Sequence, residues 1–405
     1  MVKSELNRTL GLFQVTIAGV GIILGAGIYA LLGVAAQYSG NATWLAFFIS
    51  SLVALFTGLS YAKLSSIYRG DAGEYDYVKD TVGKKFAFLI GLSMIAAGIV
   101  SASTVALGFA GYFTSIVPIP FLLGALLLIV LMTLINFIGI KQSTWFNTVS
   151  TFIEFAGLIL IIILGIKYFG SVNYFEMPQG FSGVFSSAAL VFFAYMGFES
   201  IIKLSEETIN PEKTIPRAII LSIIITTIVY VLVAVSAVSI IGWEALASST
   251  APLASVAKAA LGNGFAGPLL VIIALFSTAN TVLITMVATS RQMYGMAKEK
   301  SLPKSLSIVH GRTRTPWVAI LWIGVITIIF ALIGDIEFIA NLTNLFLFLT
   351  FGAVNLSLLL MAKKFYFDNS SKNKIYKIGK GFIVCAFIGL LSSLLMLGYV
   401  VINLI

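Results

Sequence analysis

Two carboxylates stand where carboxylates are costly. Glu154 and Glu199 lie inside long apolar runs, while the other acidic residues fall between such runs or at their ends. Glu154 is about 9 residues in from Trp145, roughly 14 Å along a helix rising 1.5 Å per residue, so it sits near the middle of a bilayer. An acid at that depth must be neutral, paired or solvated. Three chemistries compete for it. It could carry a proton. It could ligate sodium together with oxygens from Ser277, Thr278, Asn280 and Thr281 of a later run. Or it could be a neutral acid hydrogen-bonded to a neighbouring helix. Glu199 has Lys203 four residues on, which reads as an i,i+4 ion pair near the membrane interface.

A second chemistry belongs to the backbone. The stretch Gly21-Ile22-Ile23-Leu24-Gly25-Ala26-Gly27 holds three glycines within one apolar run, and each weakens a helix by about 1 kcal/mol relative to Ala. Gly21 and Gly25 could serve close helix packing. Alternatively the segment is unwound and lines a cavity, the one place where irregular backbone is tolerated at membrane depth. The sixth apolar run has its own irregular centre, Phe192-Phe193-Ala194-Tyr195-Met196-Gly197-Phe198-Glu199. An unwound first run would offer N–H groups around Ala26, Gly27 and Ile28 to an anion, and carbonyls around Ile22 and Ile23 to a cation. A zwitterion fits both ends, and no basic side chain is needed to hold its carboxylate.

The elements that must position these groups follow from composition. The chain has 405 residues, 59% hydrophobic and 10% charged, against about 25% charged in soluble domains. Mean hydropathy is +1.04. Soluble enzymes, nucleic-acid binders and disordered proteins are excluded. One cysteine, Cys385, and one histidine, His310, exclude an internal disulfide and any Cys-based or multi-His metal site. No metal or organic cofactor is expected, only a coupling ion, proton or sodium.

Crossing a bilayer takes about 20 apolar residues. Apolar runs fall at 12–36, 42–66, 86–114, 121–139, 145–169, 182–203, 216–241, 264–297, 316–334, 338–361 and 381–404. They predict an all-α integral membrane protein of eleven spans, the first a retained helix and not a signal peptide. All but two of the 25 Lys and Arg residues lie at one set of ends, the exceptions being Lys167 and Lys258. This bias places the N-terminus and the basic loops in the cytoplasm and the C-terminus outside. The net charge of +9 is then an orientation signal and calls for no nucleic-acid partner. Residues 242–263 are the main outer feature, expected to hold a short helix. The basic stretch 363–380 reads as a flexible cytoplasmic loop.

The irregular runs are the first and the sixth. Because five is odd, a repeat of five helices inserts upside down the second time, and matching breaks in two inverted halves point to a transporter site. The expected organisation is a single transmembrane domain with inverted repeats over 12–169 and 182–361 and an added helix over 381–404. Asn210, Pro211 and Glu212 suit a helix start, with Pro216 and Arg217 opening the seventh span. Glu206 or Glu207 could close an inner gate by pairing with Arg217, Arg69 or Arg291, or this surface could simply be solvated.

Five stretches resemble the amino acid–polyamine–organocation superfamily of transporters, in order along nearly the whole chain. VGIILGAGIYALLG (20–33) is similar to its first-helix motif and FFAYMGFES (192–200) to its sixth-helix motif. SEETINPEKTIPRAI (205–219) resembles the stretch before helix seven, YRGDAGEYDYV (68–78) the loop after helix two, and SRQMYGMAKEKSLP (290–303) the end of helix eight. The resemblance implies a five-plus-five inverted-repeat fold with helices one and six broken. It implies secondary transport of amino acids or related amines, with substrate contacts at Ile23, Gly25, Ala26 and Gly27 and at Phe193, Ala194 and Met196. Tyr195 or Phe193 would be an aromatic gate, and Glu199 would steady the unwound backbone of helix one. The chain departs from the family in two ways. Most members have twelve or more helices. Some carry a lysine in the fifth helix, where Asn147 to Gly157 here fits the frame with Glu154 in the lysine's place.

The resulting expectation is a proton-coupled transporter or exchanger for a small neutral or hydrophobic amino acid in the cell membrane. Sodium coupling and a cationic amino acid or polyamine substrate are the alternatives. A sensor on the same scaffold would want a long cytoplasmic region, a channel a continuous polar line, and an intramembrane enzyme a convergent catalytic set. The sequence shows none of these, and it leaves the oligomeric state open.

Overall fold

The computed structural model describes residues 9–68, 73–262, 266–367 and 378–404; the side chains of 140–148, 203, 205–207, 266 and 365–367 are not among those described. Among the described residues the fold is helical, without strands. The first half comprises α1 (Leu12–Ile23), α2 (Gly27–Ser39), α3 (Thr43–Ile67), α4 (Glu74–Thr81), α5 (Lys84–Thr114), α6 (Phe121–Ile138) and α7 (Ile140–Gly165). The second comprises α8 (Gly180–Val191), α9 (Pro211–Ala247), α10 (Pro252–Leu261), α11 (Ala266–Lys298), α12 (Trp317–Ala331), α13 (Ile336–Phe367) and α14 (Lys380–Leu404).

By length and composition, nine helices among the described residues can cross a membrane. The difference from eleven apolar runs has a physical origin. The first run is cut into α1 and α2, and the outer piece joins α3 through a short turn into one stretch, Gly27–Ile67, while α12 is a shorter apolar helix. Many large apolar side chains face outward among the described residues. On α6, Leu123, Leu127, Leu131, Leu134 and Ile138 are exposed at helical spacing.

Two buried apolar clusters make up most of the interior. The first is weighted to α1–α3, α8–α10, α13 and α14 and the second to α5, α6, α11 and α12, with α2, α5, α8, α11 and α13 contributing to both. The interruptions straddle them: Ile23, Leu24 and Ala194 belong to the first cluster, Ala26 and Phe193 to the second. The broken backbone therefore lies where the two clusters meet.

The two off-pattern cations have a local cause. Lys258 lies in the last turn of α10, and the Lys167 ammonium donates to the carbonyl of Ala260 at 3.5 Å. Both face the negative end of that helix dipole. The expected outer helix is α10 itself.

The helix start expected at Pro211 is the start of α9, and Pro216, expected to open the seventh span, lies inside that same helix. Asn210 stands at the N-cap position but makes no side-chain cap. It takes a left-handed conformation (φ 49°), and its carbonyl accepts from the N–H groups of Lys213 and Thr214. Just before it, Thr208 bridges to Leu10, tying the start of α1 to this turn. The Glu206, Glu207 and Lys203 side chains and Arg69 lie outside the described residues, so the expected gate and the Glu199–Lys203 pair do as well.

Candidate binding site between two broken helices

α1 stops at Ile23 and α2 begins at Gly27, leaving Leu24, Gly25 and Ala26 between them. α8 stops at Val191, tightens into a 3₁₀ turn over Phe192–Tyr195, and restarts at Phe198 after Met196 and Gly197. Backbone groups freed inside an apolar medium must find partners, and here other helices supply them. The Ala26 N–H donates to Thr281 Oγ1 of α11 at 3.0 Å. The Tyr230 hydroxyl of α9 lies 3.0 Å from the Ile23 carbonyl and 3.1 Å from that of Ala194, holding the two breaks together. The Gly197 N–H donates to Glu199 Oε2 at 2.8 Å.

Glycine is required at two of these positions. A Cβ on Gly27 would stand 2.5 Å from the Cα of Ala194, so α2 and the 192–195 turn meet backbone to backbone. Gly197 has φ +117°, and a Cβ there would lie 2.9 Å from the Ile22 carbonyl oxygen. Glu199 thus steadies a residue pressed against the last turn of α1.

A cavity of about 140 Å³ opens at this crossing. Of the residues singled out in the sequence, Ile23, Gly25, Gly27, Phe193, Ala194, Met196, Glu199 and Thr281 line it. Ala26 and Tyr195 do not. Ala26 is buried with its N–H on Thr281. The Tyr195 ring is fully buried on the opposite side, with its hydroxyl on the Phe47 carbonyl at 3.0 Å and its ring edge-on to Tyr230. The 3₁₀ turn separates neighbours Ala194 and Tyr195 onto different faces.

The sequence reading missed the α5 wall of Met94, Ala97, Gly98 and Ser101, and it missed Thr285 and Thr289, which continue the α11 stripe that begins at Thr281. The signal was present as hydroxyls at i, i+4 and i+8 in an apolar helix, facing small residues. This stripe and Gln292 carry the cavity toward the ends of α5 and α11 that join the basic loops. Side-chain hydrogen bonds join the opposite ends of the helices. Glu176 accepts from Asn41 Nδ2 at 2.7 Å and from Trp243 Nε1 at 3.2 Å, and Tyr38 donates to Glu337.

Glu154 stands behind the cavity wall and is 1% exposed. Neither carboxyl oxygen has a hydrogen-bond partner among the described residues, and the Ser277 hydroxyl, also unpaired, is beside it. The Ser277 carbonyl accepts from Thr281 Oγ1 at 3.0 Å, which in turn accepts from Ala26. Ser277 beside the carboxyl and Thr281 at the first break are thus one turn apart on α11. Thr278 turns its hydroxyl back to the Ala274 carbonyl of its own helix.

The chain matches the family model described as amino acid permease over residues 10–405. It is 30% identical over 384 residues to the branched-chain amino acid permease BcaP of Bacillus subtilis (strain 168), covering 89% of this chain and 82% of that one. Identity is also 30%, over 383 residues, to the methylthioribose transporter of the same organism, with 89% and 83% covered. With the vacuolar cationic amino acid transporter 4 of Arabidopsis thaliana it is 27% identical over 385 residues, covering 88% of this chain and 64% of the relative. The fold, the paired breaks and these matches agree: the chain belongs to the amino acid permease family, as a multi-pass membrane transporter and not an enzyme.

Proposed function

We propose that the chain moves a small neutral amino acid across the cell membrane by alternating access, with protons as the driving ion and Glu154 as their carrier. The observation that supports this most is the placement of Glu154, buried beside Ser277 without a hydrogen-bond partner among the described residues, one helical turn from the Thr281 that holds the Ala26 N–H. An ionised carboxylate without a partner is strongly disfavoured in this interior, and the neutral acid far less so. Proton loss therefore favours a rearrangement that wets the group, and the Ser277–Thr281 turn passes such a rearrangement to the backbone at the substrate. The cavity wall is largely apolar and small, and the N–H groups of Gly27 and Ile28 open α2, where a substrate carboxylate is favoured. With the basic loops in the cytoplasm and the C-terminus outside, this conformation faces inward. The five-plus-five inverted repeat accounts for breaks in the first and sixth runs.

Glu199 in the wall supports a second reading, a cationic amino acid or polyamine held through its side-chain charge. Uptake into proteoliposomes separates the two. Labelled alanine, serine, valine and leucine should enter saturably, whereas lysine, arginine and methylthioribose should not compete. Saturable lysine or arginine uptake with no uptake of the neutral four overturns the neutral assignment.

Tyr230→Phe removes one hydroxyl from two carbonyls at the breaks. Leaving buried acceptors unmet costs about 1–3 kcal/mol, so KM for the best substrate should rise by about tenfold, equivalent to about 1.4 kcal/mol. An unchanged KM in the folded variant would show that this link does not shape the site.

A further inference from the structure

The end of α8 is held by a residue outside both breaks. Asn344 of α13 is fully buried, and its Nδ2 donates to the carbonyls of Ala189 at 2.7 Å and Leu190 at 2.9 Å. Ser50 of α3 donates to the carbonyl of Ala188. These are carbonyls of the last turn of α8. In an uninterrupted α-helix the carbonyls of Ala189 and Leu190 would receive the N–H groups of Phe193 and Ala194. The Asn344 amide supplies a donor to the two carbonyls that the end of α8 leaves without those α-helical partners. The 3₁₀ turn that follows places Phe193 and Ala194 on the cavity and Tyr195 away from it.

We propose that Asn344 is a positioning residue of the substrate site: its amide fixes where α8 ends and so sets the placement of Phe193 and Ala194. The inference rests on the reading of this cavity as the substrate site. Asn344 itself is absent from the cavity wall, so it acts through the backbone of α8. Its second anchor is mechanical. α13 is fastened to α3 through Asn355, whose Nδ2 donates to Thr57 Oγ1 at 3.1 Å and whose Oδ1 accepts from Ser60 at 2.6 Å. Asn344 therefore references the break to α3 and α13 together.

The test uses the full-length protein with Asn344→Leu, which keeps the volume and removes the donors, and Asn344→Gln, which keeps the amide. Two readouts are taken. In proteoliposomes, Asn344→Leu should raise KM for the best substrate at least tenfold with a maximal rate within about twofold of wild type, and Asn344→Gln should recover at least half of that loss. By hydrogen exchange in detergent without substrate, the amides of 192–197 should change protection at least fivefold in Asn344→Leu, while those of α5 and α11 stay unchanged. Unchanged exchange over 192–197, an unchanged KM, or loss of protection throughout the protein in both variants overturns the proposal. If the wild type transports no amino acid while the exchange shift is seen, the substrate reading fails and the positioning of the break stands.

Discussion

Gly27→Val should reduce uptake to the level of protein-free liposomes. The Cα of Ala194 lies 2.5 Å from the point where a Cβ on Gly27 would stand, and backbone on both sides leaves no flexible atom to yield. Overpacking in a close-fitted interior costs about 1–3 kcal/mol even where side chains can shift. Here the strain falls on the two segments that form the cavity. The crossing must spread, carrying the first N–H groups of α2 away from Phe193 and Ala194. Gly295→Ala is the matched control, because a Cβ at that helical position meets nothing within 4 Å. It should transport as wild type. Uptake assays on both variants, reconstituted at equal density, check the pair. Substantial transport by Gly27→Val would mean that the backbone contact does not define the substrate site.

Glu154→Gln separates the driving ion from the substrate. The amide keeps the shape of the protonated acid and cannot release a proton. Accumulation driven by a pH gradient should disappear, while exchange of internal for external substrate continues within about threefold, a change of about 0.7 kcal/mol. The buried carboxyl lies behind the wall and not in it, so substrate binding has no need of its charge. Counterflow and gradient-driven uptake, measured on the same vesicles, give the two numbers. Equal loss of both would place Glu154 in substrate binding or in the fold.

The breaks were legible because their causes are local. Gly25 and Gly27 weaken helix one where they stand, and the aromatic run with Gly197 marks helix six. The basic ends of the helices were legible for the same reason. What holds the breaks open was not. Thr281 reaches Ala26 across 255 residues and Asn344 reaches Ala189 across 155, and hydrogen-bond partners at such separations leave no trace in local pattern. Tyr195 was expected at the substrate with its neighbours, but a 3₁₀ turn has three residues per turn, and its ring is carried to the side of Phe47 and Tyr230. The α5 wall was missed because Ala97, Gly98 and Ser101 are small residues that read as ordinary helix packing. The helix start at Asn210 and Pro211 was legible, but the seventh span was opened again at Pro216, which lies inside one continuous α9.

The coupling chemistry is tested most directly by accumulation of a labelled neutral amino acid in proteoliposomes under an imposed pH gradient, an imposed sodium gradient, and neither. Proton coupling through Glu154 predicts concentrative uptake with the pH gradient alone and simple equilibration in the other two. Concentrative uptake that requires sodium and ignores the pH gradient would contradict it.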